Sequence, residues 1–426
     1  MDIGGLLAII ITVILLTTGV PILATFALGS LAFILLEKLP ALPIGQIPFS
    51  GADKFPFLAI PLFVLTGELI SKSGIAKQLV DLSYAIIGWL RGGLGMATLG
   101  ACGFFAAISG SNSATAAAMG SIMMQPLEKV GYQKSHAGAL IASGACMGII
   151  IPPSICFIVY GAIASVSVGA LFIGGIIPGI LMIICMCIAN YFLCKKLKAD
   201  PPLIKFSFKN LLKATWEAKY GLIAPLIILG SIYTGVATPT ESAAVAVLYC
   251  FIVGMLFGKL KLQDIPKLLL NSAIVCGIVV PIIAIATLFG QMLSLLRIPD
   301  WFVGTVLSIS SDKFVLLLLM AIILLIAGCV METTPNMLIL TPLLTPIVAK
   351  LGIDPVHWGV CFMTTLTVGF VTPPVGLNLY VISSMTGVSI IDLSRRAVPY
   401  IVAMGVALIF IYAFPQLTLF LVQFMR

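Results

Sequence analysis

Charged side chains are scarce in this chain, and their scarcity excludes a soluble globular protein. Lys, Arg, Asp and Glu make up 9% of the 426 residues and hydrophobic residues 61%, whereas about 25% of a soluble domain is charged. Uncharged runs cover residues 92–126, 135–194, 314–331, 358–391 and 397–425. Because a helix crosses the hydrocarbon core with about 20 apolar residues, we predict an all-α polytopic membrane protein with about ten crossings.

The chain also lacks the cysteine and histidine spacings of a metal centre or a disulfide framework. Its ten cysteines lie almost entirely in apolar runs, no C-x-x-C pair is present, and there are only two histidines. Free cysteine packs as a small hydrophobic residue. We therefore expect no transition metal and no organic cofactor.

Basic residues outnumber acidic ones by 23 to 15, but their distribution argues against nucleic-acid binding. Seven lysines lie between Lys195 and Lys219, and the positive-inside rule predicts that this connection, residues 196–219, is cytoplasmic. The first residues, MDIGGLLAIIITVILL, lack the basic region and cleavage site of a signal peptide. We expect them to form a retained first helix.

A pattern that ends in Pro-Pro occurs twice, at a constant offset of 221 positions. The first copy reads GYQKSHAGALIASGACMGIIIPPSICFIVYG from Gly131, and the second reads GIDPVHWGVCFMTTLTVGFVTPPVGLNLYVI from Gly352. Broken helices at corresponding places in two halves of a membrane protein point to the binding site of a secondary transporter. The equivalent pairs are Gly131 and Gly352, His136 and His357, Gly138 and Gly359, Gly148 and Gly369, Pro152 and Pro373, and Pro153 and Pro374.

These copies predict two repeats, residues 1–195 and 220–426. Each contains an uncharged run interrupted by small polar residues, which we interpret as a re-entrant hairpin at about 93–128 and about 314–348. The Pro-Pro helix follows, at about 136–163 and about 356–384. If each repeat crosses the membrane an odd number of times, the repeats are inverted and both termini lie outside the cytoplasm.

The hairpin tips carry oxygen-rich residues, SGSNS from Ser109 and ETTPN from Glu332. Hydroxyl, amide and carbonyl oxygens without a dense set of carboxylates suit a monovalent cation better than Ca²⁺ or Mg²⁺. The helix that begins at each tip presents unpaired N–H groups to an anion. Each Pro-Pro break frees carbonyl oxygens for a cation. Close helix packing by small residues is the alternative for a single tip.

Titratable residues in apolar stretches are candidates for function, and this chain has few: Glu68, Glu241, Arg297, Asp300 and Glu332. Arg297 has the geometry to pair with a substrate carboxylate. Proton-driven carriers need titratable relays, which the first hairpin lacks, so the inventory favours Na⁺ over H⁺.

Residues near charged or loop positions are expected at the membrane–water interface. We place all four tryptophans there, including Trp358, together with His136 and His357, which follow loops. Residues 72–89 and 296–308 are predicted to form amphipathic helices along the membrane surface.

Several longer motifs resemble the large membrane subunit of tripartite ATP-independent periplasmic (TRAP) transporters over nearly the whole chain. They are TGVATPTESAAVA from Thr234, SGSNSATAAAMG, ETTPNMLILTPLL, GIIIPP and GFVTPPVGLNLY. The resemblance implies Na⁺-coupled import of an organic acid across the bacterial inner membrane by an elevator mechanism, with a scaffold and a moving transport domain. Overall similarity is greatest to the sialic-acid type, and a C4-dicarboxylate or another carboxylate is the alternative substrate.

The resemblance also implies partners and sites. The partners are a small four-helix membrane subunit on a separate chain and a periplasmic substrate-binding protein, and two or more Na⁺ ions are expected. The implied cation ligands are Ser109, Gly110, Ser111, Asn112, Ser113, Gly148 and Pro152 at one site, and Thr333, Thr334, Asn336, Gly369, Thr372 and Pro373 at the other. The implied substrate residues are Ser111, Asn112, Arg297, Glu332, Thr334, Asn336 and Asn378.

Three other functions compete with transport. The first is an intramembrane hydrolase with Ser111 or Ser113 as nucleophile and His136 as base. The second is a passive channel, and the third is a purely structural membrane subunit. A hydrolase does not explain why the same architecture recurs without an equivalent serine, and the inverted two-copy plan suits alternating access better than a passive channel.

Overall fold

The computed structural model describes residues 3–202, 205–257, 260–310 and 312–425, and every regular element in these ranges is helical. The predicted all-α fold is confirmed. Residues 1, 2, 203, 204, 258, 259, 311 and 426, which the predicted repeats and their connection include, lie outside the described residues. Within the described ranges six helical segments are long and apolar enough to cross a membrane: Phe55–Ser73, Val168–Leu197, Pro239–Leu256, Leu262–Leu295, Lys313–Val330 and Ile390–Ala413.

The first half of the chain forms ten α-helices and two 3₁₀ turns, Phe55–Leu58 and Cys146–Ile149. The helices are α1 (Ile3–Thr17), α2 (Ile22–Leu36), α3 (Leu42–Ala52), α4 (Ala59–Ser73), α5 (Ile75–Ile87), α6 (Gly93–Ser109), α7 (Asn112–Lys129), α8 (Lys134–Ala145), α9 (Ile155–Ala164) and α10 (Val168–Leu197).

The second half forms ten further α-helices, with 3₁₀ turns at Leu262–Asp264 and Val422–Phe424 in the described residues. The helices are α11 (Phe208–Tyr233), α12 (Pro239–Leu256), α13 (Ile265–Leu295), α14 (Ile298–Ile309), α15 (Lys313–Val330), α16 (Thr333–Lys350), α17 (Pro355–Gly369), α18 (Leu377–Thr386), α19 (Ile390–Ala413) and α20 (Gln416–Leu419).

The helix bounds recur at the offset of the sequence pattern. The first residues of α7 and α16 are 221 positions apart, and so are their last residues. The first residues of α8 and α17 are separated by the same offset. Each half therefore contains a helix pair with a short turn, α6–α7 or α15–α16, followed by a helix that stops at Pro-Pro. Both Pro-Pro bonds are cis. The inversion of one half relative to the other stays a prediction.

Side-chain caps set several of these helix starts. Ser111 and Ser154 accept from backbone N–H groups in the first turns of α7 and α9, which satisfies donors that a helix start leaves unpaired. Glu241 forms a capping box with Thr238 at the start of α12 and is exposed. Its role in the structure is therefore that of a cap at a helix end.

Helices α8 and α17 lie in the centre of the core, and this position corrects the interfacial assignment of three residues. Trp358 is fully buried and His136 and His357 are each 3% exposed, whereas Trp216 is 70% exposed. His357 Nδ1 lies 2.8 Å from Thr418 Oγ1. These residues follow loops in sequence, but each helix enters the protein interior within its first turn.

Asp200, which follows α10, anchors the base of the first helix pair. Its carboxylate accepts from the N–H groups of Leu94 and Gly95 at 3.0 and 3.1 Å and from the Tyr132 hydroxyl at 3.3 Å. Its own N–H donates to Val130 O at 2.8 Å. The residue is 2% exposed, and this burial raises the pKa of the Asp200 carboxyl above its usual value, against the opposing effect of the three hydrogen bonds.

Candidate functional site

The first tip is a two-residue turn, Gly110 and Ser111, between α6 and α7. Gly110 has a φ of +61°, and a Cβ at this position would lie 2.7 Å from Pro153 O. Both the left-handed conformation and the close approach require glycine. Ser111 is extended and its hydroxyl accepts from Ala114 N at 3.4 Å. The turn therefore contacts the first Pro-Pro break directly.

Gly148 brings the backbone of that break against the same tip. A Cβ on Gly148 would collide with Ser111 O and would lie 2.6 Å from Asn112 N. Pro152, four residues further along the chain, is also buried. The structure thus brings together the residues predicted for the first cation site, with Gly148 as the point of closest approach.

The second tip, between α15 and α16, is braced by Asn336. Its Nδ2 donates to Ala327 O at 3.1 Å and to Met331 O at 3.0 Å, which closes the turn. Glu332 occupies the N-cap position of α16 without a side-chain cap bond. Thr333 is the first residue of that helix.

The second break meets its helix pair at a different place. A Cβ on Gly369 would collide with the Gly328 carbonyl carbon and lie 2.7 Å from Cys329 N, so the closest neighbours are the last turn of α15. Pro373 is exposed, and the Thr372 hydroxyl donates to Val368 O at 2.8 Å within its own turn. The closest approach of this break is therefore to α15, while Phe370 beside Gly369 lines the same cavity as Thr333 and Thr334. The predicted second cation site stays a prediction.

Cys146 and Thr367 join the two halves at the centre of the site, and the sequence analysis did not identify them. Asn112 Nδ2 donates to Thr367 Oγ1 at 3.3 Å, and Thr367 Oγ1 donates to Cys146 O at 2.9 Å. Asn378 Nδ2 reaches Ala142 O at 3.0 Å from the far side. The constant offset could have pointed to Cys146 and Thr367, since they are equivalent positions.

Three buried asparagine oxygens around this centre accept no hydrogen bond in the part of the chain that the structure describes. They are the Oδ1 atoms of Asn112, Asn336 and Asn378, whose residues are 4%, 0% and 0% exposed. A buried acceptor without a partner costs about 1–3 kcal/mol. Amide oxygens held in this way are suited to coordinate a cation of the Na⁺ type.

A cavity of about 290 Å³ lies between the two tips. Asn112, Ile155, Thr333 and Leu377 line it, and they are the first residues of α7, α9, α16 and α18. Each helix start carries a partial positive charge from its unpaired N–H groups. Four such starts around one cavity favour an anionic group, although Glu332 also lines the wall.

A larger cavity of about 630 Å³ lies on the other side of the first tip. Ser111 and Ser113 line both cavities, so this tip is their common wall. Glu68 also lines the larger cavity and accepts from Asn271 Nδ2 at 3.4 Å. The hydroxyls and the single carboxylate place polar groups in walls that are otherwise mainly apolar.

The seven predicted substrate residues occupy three kinds of position. Ser111, Asn112, Glu332 and Thr334 line the cavity between the tips, whereas Asn336 and Asn378 are buried behind it. Arg297 lines neither cavity. It is exposed at the start of α14 with a φ of +52°, and the structure does not bring it to the substrate residues.

The hydrolase alternative fails on geometry. Ser111 and Ser113 Oγ atoms lie 3.2 Å from each other. His136 is in the first turn of α8, twelve residues before Gly148, which touches Ser111. At 1.5 Å per helical residue this separates the imidazole from the serines by about 18 Å. The described residues therefore contain no serine–histidine pair at the tip.

Comparisons with known proteins identify the same architecture. Residues 9–417 match the family model described as tripartite ATP-independent periplasmic transporter, DctM component. A crystal structure of the YdaH transporter of Alcanivorax borkumensis superposes with a TM-score of 0.63 at 13% identity and covers 86% of this chain and 87% of that one. At this identity the superposition shows the fold alone.

Named relatives cover three kinds of organic acid. The isethionate TRAP transporter permease protein DctMQ of Oleidesulfovibrio alaskensis is 38% identical over 95% of this chain, which spans 64% of that relative's length. The C4-dicarboxylate TRAP transporter large permease protein DctM of Pseudomonas aeruginosa is 37% identical over 92% of both chains. The sialic acid TRAP transporter large permease protein SiaM of Vibrio cholerae is 34% identical over 96% of both. All three are named as permeases and none as an enzyme.

Proposed function

Since this chain belongs to the DctM component family of tripartite ATP-independent periplasmic transporters, we propose that it carries out Na⁺-coupled import of an organic acid across the bacterial inner membrane. The chain is the large permease of such a system and a multi-pass membrane protein. Transport proceeds by an elevator movement in which the two helix pairs and the broken helices carry the substrate as one unit.

The observation that carries the proposal is the cavity between the two tips. Four helix starts surround it, and among the described residues that line it none carries a positive charge, whereas Glu332 can carry a negative one. Backbone N–H groups at helix starts bind a carboxylate or sulfonate without a fixed counter-charge. Such a site holds an anion loosely enough to release it, which a carrier requires.

The buried oxygens of Asn112, Asn336 and Asn378 support coupling to a cation. A Na⁺ ion beside each tip would satisfy these acceptors and offset the partial charges that the substrate meets. Two or more ions are proposed, one at the Ser111–Gly148 contact and one behind the second tip at Asn336. The scarcity of carboxylates around both tips favours Na⁺ over H⁺.

The partners proposed for this chain follow from the same family. A small four-helix membrane subunit on a separate chain would pack against the exposed apolar helices, and a periplasmic binding protein would deliver the substrate. Exposed leucines and isoleucines on α1, α2 and α13, among them Leu35 at 67% and Leu270 at 59%, provide apolar surface for lipid or for such a subunit.

Sialic acid is the substrate that we propose, with a C4-dicarboxylate and isethionate as competing substrates. The relatives named for these three acids are 34% to 38% identical to this chain. An acidic group is the feature that the three substrates share, and it matches the anion-favouring helix starts. The remainder of each molecule differs, so the choice among them depends on the binding protein and on the cavity walls.

Reconstituted uptake tests the proposal. Proteoliposomes containing both membrane subunits receive the cognate binding protein outside, an inward Na⁺ gradient, and radiolabelled sialic acid, succinate or isethionate in separate arms. We expect one acid to accumulate above its external concentration only with the gradient and the binding protein present. Accumulation that persists without a Na⁺ gradient contradicts the coupling, and equilibration without accumulation indicates a passive channel.

A further inference from the structure

An apolar groove of about 650 Å³ runs along α5, α6 and α10, apart from both cavities at the tips. Ile86 on α5 and Ile184, Ile188 and Phe192 on α10 line it and are 44% to 62% exposed. Gly100 lines it from α6, and the nearest atom to a Cβ there would be Ser83 Oγ at 3.4 Å. The groove is therefore open to the membrane.

The groove is about as long, measured along α10, as one membrane leaflet is thick. Its walls on α10 run from Ile183 to Phe192, and nine residues at 1.5 Å each give about 14 Å. The hydrocarbon core of a bilayer is about 30 Å thick. A membrane-spanning helix from a partner would need a groove along the whole thickness, whereas a single acyl chain occupies one leaflet.

Cationic side chains follow the apolar residues at one end. Lys195 and Lys196 lie one turn beyond Tyr191 and Phe192 on α10, so they continue the same helix face. Both lysines are exposed. Arg91 follows the lining residue Leu90 on the opposite wall. The lysine-rich connection begins at this end of α10, and the positive-inside rule places it in the cytoplasm.

We propose that this groove binds an anionic phospholipid of the cytoplasmic leaflet, with one acyl chain along α10 and the headgroup phosphate at Lys195 and Lys196. Anionic headgroups are attracted to such basic clusters at the cytoplasmic ends of membrane helices. The apolar walls supply burial for the chain, and the lysines supply selectivity for charge. The site is independent of the coupling ion and of the transported acid.

The lipid would join two parts of the molecule. Helix α5 packs on α11, where a Cβ on Gly221 would lie 2.5 Å from Ile75 Cγ2. Helix α6 belongs to the first helix pair, whose tip lines both cavities. A chain in the groove contacts α5 and α6 together, so its binding also fills the space between the first helix pair and the helices around it.

Native mass spectrometry of the purified, delipidated chain tests the proposal, with phosphatidylglycerol and phosphatidylcholine of identical acyl chains as probes. We expect the wild type to retain one phosphatidylglycerol in preference to phosphatidylcholine. The double variant Lys195→Gln/Lys196→Gln should lose roughly 25-fold in phosphatidylglycerol affinity, from about fivefold per basic residue. The matched control Lys209→Gln/Lys213→Gln, exposed lysines on α11, should bind as the wild type does.

A second variant separates chain binding from headgroup binding. Gly100→Leu places a side chain in the groove and should reduce the retention of both lipids, while circular dichroism and the thermal midpoint report that the fold is intact. Equal retention of the two lipids by the wild type would overturn the proposal. So would unchanged binding in the Lys195→Gln/Lys196→Gln variant, or loss of the bound lipid whenever the small membrane subunit is co-purified.

Discussion

Cys146 and Thr367 donate hydrogen bonds to each other's carbonyl oxygens across the centre of the molecule. Thr367 Oγ1 lies 2.9 Å from Cys146 O, and Cys146 Sγ lies 3.2 Å from Thr367 O. The two residues are 221 positions apart, the same offset that relates the two Pro-Pro patterns. They are therefore equivalent residues of the two copies.

A reciprocal contact between equivalent residues is the pattern that a two-fold axis produces, since residue i contacts j as j contacts i. The helix that precedes each Pro-Pro break thus meets its own counterpart at the centre. Asn112 extends the contact to the first tip through its bond to Thr367. These bonds therefore link the two broken helices to each other and to the first tip.

Thr367→Val tests the importance of this contact. The change keeps the shape and the β-branch but removes the donor to Cys146 O and the acceptor for Asn112 Nδ2. We expect a loss of about 1–3 kcal/mol, because buried groups lose their partners, together with slower uptake. Thr364→Val is the control, since its hydroxyl bonds only carbonyls of its own helix. Thermal unfolding midpoints of the two variants that shift equally would contradict a special role for Thr367.

Glycine substitutions test the close approach of each break to its helix pair. A Cβ on Gly148 collides with Ser111 O and one on Gly369 collides with Gly328, and backbone at both places cannot yield cheaply. We expect Gly148→Ala and Gly369→Ala each to destabilise the protein by about 1–3 kcal/mol and to abolish uptake. Gly405→Ala in α19, where nothing lies within 4 Å, should be neutral or stabilising. Comparable losses in all three variants would show that the backbone contacts are unimportant.

The parts of the fold that were predictable from sequence carry local signals. Proline pairs, small polar interruptions and uncharged runs gave the helix pairs and the broken helices, because each feature acts on the backbone within one or two turns. The burial of Trp358 carries no such signal. A loop that ends four residues earlier suggests an interface, and only the packing of α17 on its neighbours places the ring in the core.

The site was predictable to the extent that it is local. The first tip and Gly148 come together as expected, since one turn and one break suffice to build the contact. The Gly369 contact with α15 and the remoteness of Arg297 depend on how whole helices pack, which spacing along the chain does not encode. Arg297 also shows that an arginine in an apolar stretch can simply occupy an exposed helix start.

Asparagine variants test the proposed cation sites. Asn112→Ala and Asn336→Ala each remove a buried oxygen that accepts no hydrogen bond within the described residues. We expect the Na⁺ concentration for half-maximal uptake to rise roughly tenfold, equivalent to about 1.4 kcal/mol of lost coordination. Cys185→Ala, half-buried on α10, is the control and should leave this concentration unchanged.

Asn336→Ala also removes two bonds that brace the second tip, so folding must be measured separately. The thermal midpoint without Na⁺ reports the bracing, and the rise in midpoint on adding Na⁺ reports the ion. Asn112 variants that keep the wild-type Na⁺ activation and the wild-type rise in midpoint would refute the first site.

The pH dependence of stability tests the buried anchor at Asp200. Burial raises the pKa of this carboxyl above its usual 3.8, so the folded state holds the proton to higher pH than the unfolded state does. The protonated carboxyl therefore contributes fully to the free energy of unfolding at pH values below the usual carboxyl pKa. This contribution is lost as the pH rises through the folded-state pKa. Asp200→Asn does not titrate at this position, so its stability relative to that of the wild type should rise with pH. Thermal midpoints from about pH 4 to about pH 8 that stay parallel would contradict this assignment.

Arg297 and Ser113 make opposite predictions for substrate affinity. Arg297 is exposed and lines neither cavity, whereas Ser113 lines both. Arg297→Gln should therefore leave the KM for the transported acid within about twofold of the wild type, because no bidentate pair with the substrate is lost. Ser113→Ala should raise the KM by roughly tenfold, as expected when a hydroxyl partner of about 1.4 kcal/mol is lost. Uptake kinetics at saturating Na⁺ measure both KM values. A large KM increase in Arg297→Gln alone would place the arginine at the substrate site and would contradict substrate binding in the cavity between the tips.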